Sequence, residues 1–462
     1  MGKQTKWIIA AALGVAVLGG VAFWLSQTPT TEEKNAAREE DITLADRTRQ
    51  EITAVRVVTT QGEYTAENVG EGSFEISDLE GIPVNATQLD LLLDCAAAPK
   101  ASRVVEEAPS DLTKFGLDVP VARVEVSYSQ GDPLILLLGS DAPHSAGVYC
   151  KREGDAAVYL MDTARAQELS QPLNQLVDRV LGENIPTNEV GRVTLSGSGF
   201  PQDIVLEPTT EESSVQKYGA ETHRMTEPKD RAADSDAVSD IITTAMGLTA
   251  AEAAVLNPTS EEMAETGLEK PAAILTMEYG EGETLTLRAG DTDEDGMVWV
   301  MKDGVPVLYR VTLDSCPWVT ASYETLASRQ LVSPSLEELS EISVTTAGEG
   351  FTFLISGEEG DVQVSCNGQE LDPEAFQEYF QSIIAMKGEA FTQQRPGGSP
   401  EVTLTYTYRD VSKNPTVIQL TPNGEGYLVT VNGETELTVS ENIPALLLEN
   451  TRKAAQSLKE TQ

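Results

Sequence analysis

The feature that most constrains this chain is that it repeats itself. The segment SDLTKFGLDVPVARVEVSYSQGDPLILLLGSDAP, beginning at Ser110, and the segment SEEMAETGLEKPAAILTMEYGEGETLTLRAGDTDE, beginning at Ser260, share one skeleton. Gly116-Leu117, Pro120, Tyr128 and Gly139 recur as Gly267-Leu268, Pro271, Tyr279 and Gly290, each 151 residues later. A constant offset over that distance leaves room for few gaps and makes each copy a module of one architecture. A third, more diverged copy follows, in which Pro400 precedes Tyr408 by the interval that separates Pro120 from Tyr128. The alignment continues through Tyr149, Trp299 and Tyr427, then Tyr159, Tyr309 and Leu437, while QQRPGGSPE replaces the Gly-Leu element.

Each copy carries the same order of local signals. A strand-like stretch opens it (Ile52 to Thr60, Glu189 to Leu195, Glu341 to Thr346), and an amphipathic helix follows (Asn85 to Ala97, Asp234 to Met246, Asp372 to Met386). Asn85, Asp234 and Asp372 are the expected N-caps, because a short polar side chain can accept from an orphan amide of the first turn. Alternating strands joined by Gly-Asp or Gly-Glu turns come next, VARVEVSYSQGDPLILLLG and AAILTMEYGEGETLTLRAG, and then a closing pair, VYCKREGDAAVYLMD and VWVMKDGVPVLYRVT. Recurrent Tyr and Trp are read as packing and recurrent Gly as turns needing positive φ.

The N-terminal segment sets the compartment. Trp7 to Leu25, WIIAAALGVAVLGGVAFWL, contains no charge, follows Lys3 and Lys6, and has Trp7 and Trp24 at its two ends. As a helix it would be roughly 28 Å long, close to the hydrocarbon thickness of a bilayer. Flanking lysines favour a cytoplasmic N-terminus. An uncleaved anchor is favoured over a cleaved signal peptide because the run ends in bulky Phe23-Trp24-Leu25, with only Gly20-Val21-Ala22 imitating a cleavage site.

The predicted fold class is therefore α+β: an N-terminal single transmembrane helix followed by three repeated modules, each a mainly antiparallel sheet with one principal helix. The expected divisions are a cytoplasmic tail (1–6), the anchor (7–25), an acidic tether (26–48), and modules at 49–182, 187–334 and a diverged 335–455, with Ile185-Pro186 and Ser333-Pro334 at the boundaries. The localisation that follows is the cell membrane, single-pass, with the bulk of the chain extracytoplasmic.

Charge excludes some functions. With 74 Asp and Glu against 32 Lys and Arg the formal charge is -42, and no basic stretch follows residue 6, so a phosphate-backbone binder is not expected. Two histidines, His144 and His223, leave little for a His base or a His-rich metal site. Cys95, Cys150, Cys316 and Cys366 are too far apart for zinc spacing, and either disulfides or buried thiols are open to them. Neither Gly-x-Ser-x-Gly nor a Walker-type run occurs. The sharpest motif, Asp291-Thr-Asp293-Glu-Asp295-Gly296, imitates the first half of a calcium loop, but the twelfth position is Lys302. It is read as a solvated hairpin loop. No catalytic, cofactor-binding or metal-binding residue is named, no cofactor is expected, and the chain is read as not an enzyme.

The residues EEAPSDLTKFGLDVPVARVEVSY, followed by LLLGSDAP and VYCKREGDAAVYLMD, resemble the bacterial domain of unknown function 4340 family. In that family an acidic-small "DL..yGL..P" turn precedes paired strands, an "iG" turn and a "vyl" strand. Asp111-Leu112, Phe115-Gly116-Leu117, Pro120, Gly139 and Tyr159 stand at those places, with Met263 for the Leu in the second copy. The resemblance spans residues 50–330, extends weakly to 450 and includes the N-terminal anchor. It implies a single-pass, outward-facing companion of ABC-type export or gliding-related permeases with no assigned catalytic residue. The expected function is a non-catalytic, membrane-anchored extracytoplasmic binding or scaffold protein, such as an accessory subunit of an ABC-type transport or envelope complex. Its expected partners are the membrane and envelope proteins, an ABC permease among them, and no nucleic acid. The alternative is an exported hydrolase acting on cell-wall or glycan material.

Overall fold

A computed structural model describes residues 41–209, 221–357, 362–424 and 426–458. The tail, the anchor at 7–25 and the tether up to residue 40 lie outside the described residues. Among the described residues no helix is long and apolar enough to cross a membrane. The chain divides into two compact units, with the boundary between Asp178 and Arg179. The architecture is α+β and sheet-rich, and every strand pair is antiparallel.

The first unit builds one large sheet from β2 (Ile52–Thr59), β3 (Gly62–Gly70), β4 (Ser73–Ile76), β6 (Arg103–Glu106), β7 (Ala122–Tyr128), β8 (Leu134–Asp141), β9 (Val148–Arg152) and β10 (Val158–Met161), in the order β4-β3-β2-β7-β8-β9-β10-β6. A two-stranded ribbon of β1 (Ile42–Thr43) and β5 (Lys100–Ala101) adjoins it in sequence, and Leu44 beyond β1 is buried. Residues 41–48, expected at the end of the tether, are thus part of the folded unit, because Ile42 and Leu44 give a short apolar stretch something to bury. Helix α1 (Ala86–Ala97) lays Leu89, Leu92, Leu93, Ala96 and Ala97 inward, and Asn85 caps it by accepting from the Gln88 amide. Val55, Val57, Val124, Val126, Leu136 and Leu138 supply buried residues at alternate strand positions, as a sheet with one covered face requires. A short helix, α2 (Thr163–Leu169), follows the last strand.

The second unit contains two further sheets. The first of them takes β11 (Val190–Ser196), β12 (Ile204–Pro208), β13 (His223–Glu227), β14 (Arg231–Ala232), β15 (Glu252–Leu256), β16 (Ala273–Tyr279), β17 (Glu283–Thr292), β18 (Met297–Lys302) and β19 (Val307–Thr312) in the order β14-β13-β12-β11-β16-β17-β18-β19-β15. The next takes β20 (Leu339–Thr345), β21 (Gly350–Ser356), β22 (Gln363–Cys366), β23 (Gln369–Glu370), β24 (Ala390–Phe391), β25 (Val402–Tyr408), β26 (Thr416–Asn423), β27 (Gly426–Val431) and β28 (Glu434–Ser440) in the order β23-β22-β21-β20-β25-β26-β27-β28-β24. Position for position these are one topology, and the first sheet matches it but for the short outermost strand beyond β4. Two helices sit in the second sheet's stretch of chain, α3 (Ser235–Met246) and α4 (Ser260–Glu265), followed by the single turn α5 (Tyr323–Leu326). In the third, α6 (Pro373–Ile384) is joined by α7 (Ile443–Gln456).

Asp234 and Asp372 cap α3 and α6 through their carboxylates, as Asn85 caps α1. The cap residue also ties each module's end to its helix start: the amides of Asn85, Asp234 and Asp372 donate to the carbonyls of Leu176, Leu326 and Ser457. One expectation is corrected by α7. The third module has two long helices rather than one, and Pro444, Leu447, Thr451 and Ala454 form the buried stripe that holds α7, with Thr451 Oγ1 3.1 Å from Tyr379 Oη of α6. Residues 179–182, placed by the sequence in the first module, bond within the second unit, where Leu181 donates to the Leu248 carbonyl.

Candidate functional site

The repeated glycines mark a structural seat. Gly116 and Gly267 adopt φ values of 64° and 75°, the left-handed region that a side chain resists. A Cβ on Gly116 would stand 2.9 Å from the Ser140 amide nitrogen, and one on Gly267 would be as close to that of Asp291. In both modules the strand below carries a bulge, between Leu138 and Asp141 and between Ala289 and Thr292. The Gly-Leu turn drops onto that bulge and buries Leu117 and Leu268. In the first module the turn also closes a small apolar cluster on the sheet's outer face, where Phe115 meets Tyr149 edge-on at 5.0 Å.

The third module lost the turn and the bulge together. The register between β26 and β27 runs without a shift, the residue equivalent to Gly139 and Gly290 is the buried Thr421, and Gly397 and Gly398 face open space. Without the bulge the aromatic alignment slips by one. Tyr149 and Trp299 correspond to Leu428 rather than to Tyr427, which lies opposite Pro422 and donates to Glu401 Oε2 at 2.8 Å. Tyr159, Tyr309 and Leu437 do correspond, facing Cys150, Val300 and Val429.

The acidic hairpin Asp291 to Gly296 closes on a cation of the chain itself. Arg310 donates through Nε to Asp293 Oδ2 and through Nη2 to Asp295 Oδ2, both at 2.7 Å, and Glu252 lies 3.3 Å from Nη1. Asp293 Oδ1 accepts from the amides of Asp295 and Met297. Desolvation pushes the Asp293 carboxyl up, but the Met297 amide and Arg310 outweigh it and hold it below the usual carboxylate range. Its lone pairs are engaged in shaping the turn between β17 and β18.

All four cysteines are free thiols, Cys150, Cys316 and Cys366 buried and Cys95 half-buried. Burial pushes Cys150 and Cys316 up to about 12, and burial with the nearby Glu168 carboxylate does the same to Cys95. A thiol so raised is almost wholly protonated and a poor nucleophile at neutral pH. His223, half-buried, has its imidazole pulled down by desolvation and its Nδ1 3.0 Å from Thr222 Oγ1, while His144 sits at φ 60° in an exposed turn.

A concave feature lies in the second unit, where its two sheets meet. A cavity of about 360 Å³ is bounded by the β13–β14 hairpin (Lys229, Arg231), the β27–β28 hairpin (Val431, Glu434, Glu436) and the connecting segment at Gln330. Lys229 Nζ lies 2.5 Å from both Glu434 Oε2 and Glu436 Oε1, and Arg231 Nη1 lies 2.5 Å from Glu436 Oε2. Desolvation pulls Lys229 down, but the two glutamates outweigh it and raise it, while Lys229 lowers Glu434. The sequence reading singled out none of these residues. The available signal was the period-2 spacing of Lys229-Asp-Arg231 and Glu434-Thr-Glu436, which puts like charges on one side of an extended strand.

A family model described as Domain of unknown function (DUF4340) matches the chain twice, over residues 75–223 and 224–405. The division between the two matches falls inside β13, so the matched segments are out of phase with the sheets. No curated protein and no solved structure matches the chain.

Proposed function

This chain belongs to the DUF4340 family, and from that membership we propose that it is a non-catalytic, membrane-anchored extracytoplasmic binding or scaffold protein, an accessory subunit of an ABC-type transport or envelope complex. The observation that carries the reading is the same strand order built three times in one chain. Repetition multiplies surface: each sheet packs one face against its helix and leaves part of the other to water, so serial copies offer extended faces for partners. The charge-free run from Trp7 to Leu25 supports attachment to a bilayer, with the acidic body on the far side.

Affinity purification from detergent-solubilised membranes tests the role. Specific co-purification of integral membrane proteins, including a permease, is the expected result, and recovery of the chain alone under gentle conditions would overturn it. Protease added to intact, wall-stripped cells tests the topology separately. Digestion of the body is expected, and survival of the full-length band would contradict the external placement.

A further inference from the structure

The two sheets of the second unit are joined at several points around the 360 Å³ cavity. A short backbone bridge pairs Gln330 with Lys387, and the amides of Leu331 and Gly388 donate to the carbonyls of Met386 and Arg329. Lining the same cavity are the ion pairs of Lys229 and Arg231 with Glu434 and Glu436. We propose that this junction is an ion-sensitive hinge, in which Glu436 is the shared acceptor that holds the β13–β14 hairpin against β28, and that releasing Glu436 opens the cavity.

The two carboxylates are not equivalent. Glu434 is 68% exposed in its side chain, so its pair with Lys229 is screened by water and salt and contributes little. Glu436 is 28% exposed and its partner Arg231 15%, so their attraction is screened far less. Glu436 also forks, giving one oxygen to each cation. Arg231 is held by further contacts: Nε donates to the Ser328 carbonyl at 3.0 Å, and the guanidinium lies 5.0 Å over the ring of Phe391, on which Tyr323 packs edge-on at 5.4 Å. Loss of Glu436 therefore takes the carboxylate from a partly buried cation, on a joint still tied beside the void by the backbone bridge, by Arg329 and Gln330 donating to the Glu389 and Ile384 carbonyls, and by the ring contacts of Phe391. Rotation about that bridge is the motion such an arrangement permits.

Amide hydrogen exchange on the full chain reads the hinge at Leu331 and Gly388. Glu436→Gln should speed exchange there by about tenfold while Glu434→Gln changes it by less than about threefold, and the Phe376 amide inside α6 should be unchanged by either. Equal effects from the two variants, or none from Glu436→Gln, would overturn the proposal. A salt series on the unmodified chain keeps the test independent of any folding defect. Raising salt from about 50 mM to about 1 M should speed exchange at the junction if ion pairs hold it. A joint governed by repulsion between two acidic bodies would tighten instead, and that outcome, or no change, would overturn the hinge.

Discussion

The carbonyl oxygen of Phe115 lies where a side chain on Gly139 would begin: a Cβ there would stand 2.2 Å from it, and Thr266 and Gly290 repeat the relationship at 2.0 Å. Backbone meets backbone at this point because a turn is seated on a bulged strand. Gly139→Ala or Gly290→Ala should therefore cost about 1–3 kcal/mol, the range for forcing atoms into a filled space. Gly398→Ala in the third module, which would meet nothing within 4 Å, should stay within about 0.5 kcal/mol of neutral. Urea unfolding midpoints compare the three, and equal midpoints would remove the account of the seat.

Acid sensitivity should be traceable to Glu207. Arg224, with Arg192 beside it, holds this carboxyl below its ordinary value by bonding its charged form. A depressed folded-state pKa contributes stability that is fully present above the unfolded value, near 4, and is lost as pH falls through the folded value. Glu207 is 25% exposed, so its contribution is at most about 1 kcal/mol. Glu207→Gln should be less stable than the parent at pH 7 and converge with it as pH falls through the folded-state value. A difference that persists unchanged into acid would assign the effect to packing.

Calcium should have no privileged effect. Asp293 and Asp295 are committed to Arg310 and to the amides of their own turn, so a cation would have to displace an arginine already in place. Millimolar calcium should raise the melting temperature no more than magnesium does. A large calcium-selective rise, abolished by Asp293→Ala, would make the hairpin an ion site.

The thiols should be counted only after unfolding. A thiol-reactive chromogen at neutral pH should modify Cys150, Cys316 and Cys366 slowly in the native protein, and all four cysteines promptly in denaturant, because reaction requires both access and thiolate. Prompt modification of Cys150 in the native state would contradict its burial within the first sheet.

Much of the fold was legible in the chain because it rests on local chemistry. Asn85, Asp234 and Asp372 were readable as caps, since a short acceptor before an apolar-periodic run has one common use. The strand hairpins were readable from alternation and from Gly-containing turns. Helix α7 was not, although Pro444, Leu447, Thr451 and Ala454 have helical spacing. The repeat drew attention to what the copies share, and α7 has only the seven-residue α2 as its counterpart in the first module. The slip at Tyr427 has a similar origin. Losing a bulge removes one residue from a register, and no count of intervals reveals which strand gave it up.

By itself the sequence determined the repeat, the α+β class, the caps and the family, because each depends on residues close together in the chain or on a fixed offset between copies. Tertiary structure alone decided that Arg310 fills the acidic hairpin, that Phe115 sits on Gly139, and that Lys229 and Arg231 meet Glu434 and Glu436 some two hundred residues away. In a chain with 74 acids, almost any cation has many possible partners. Which one it meets is set by sheet register and by the path of the connecting segment, and neither is written in the local spacing of charges.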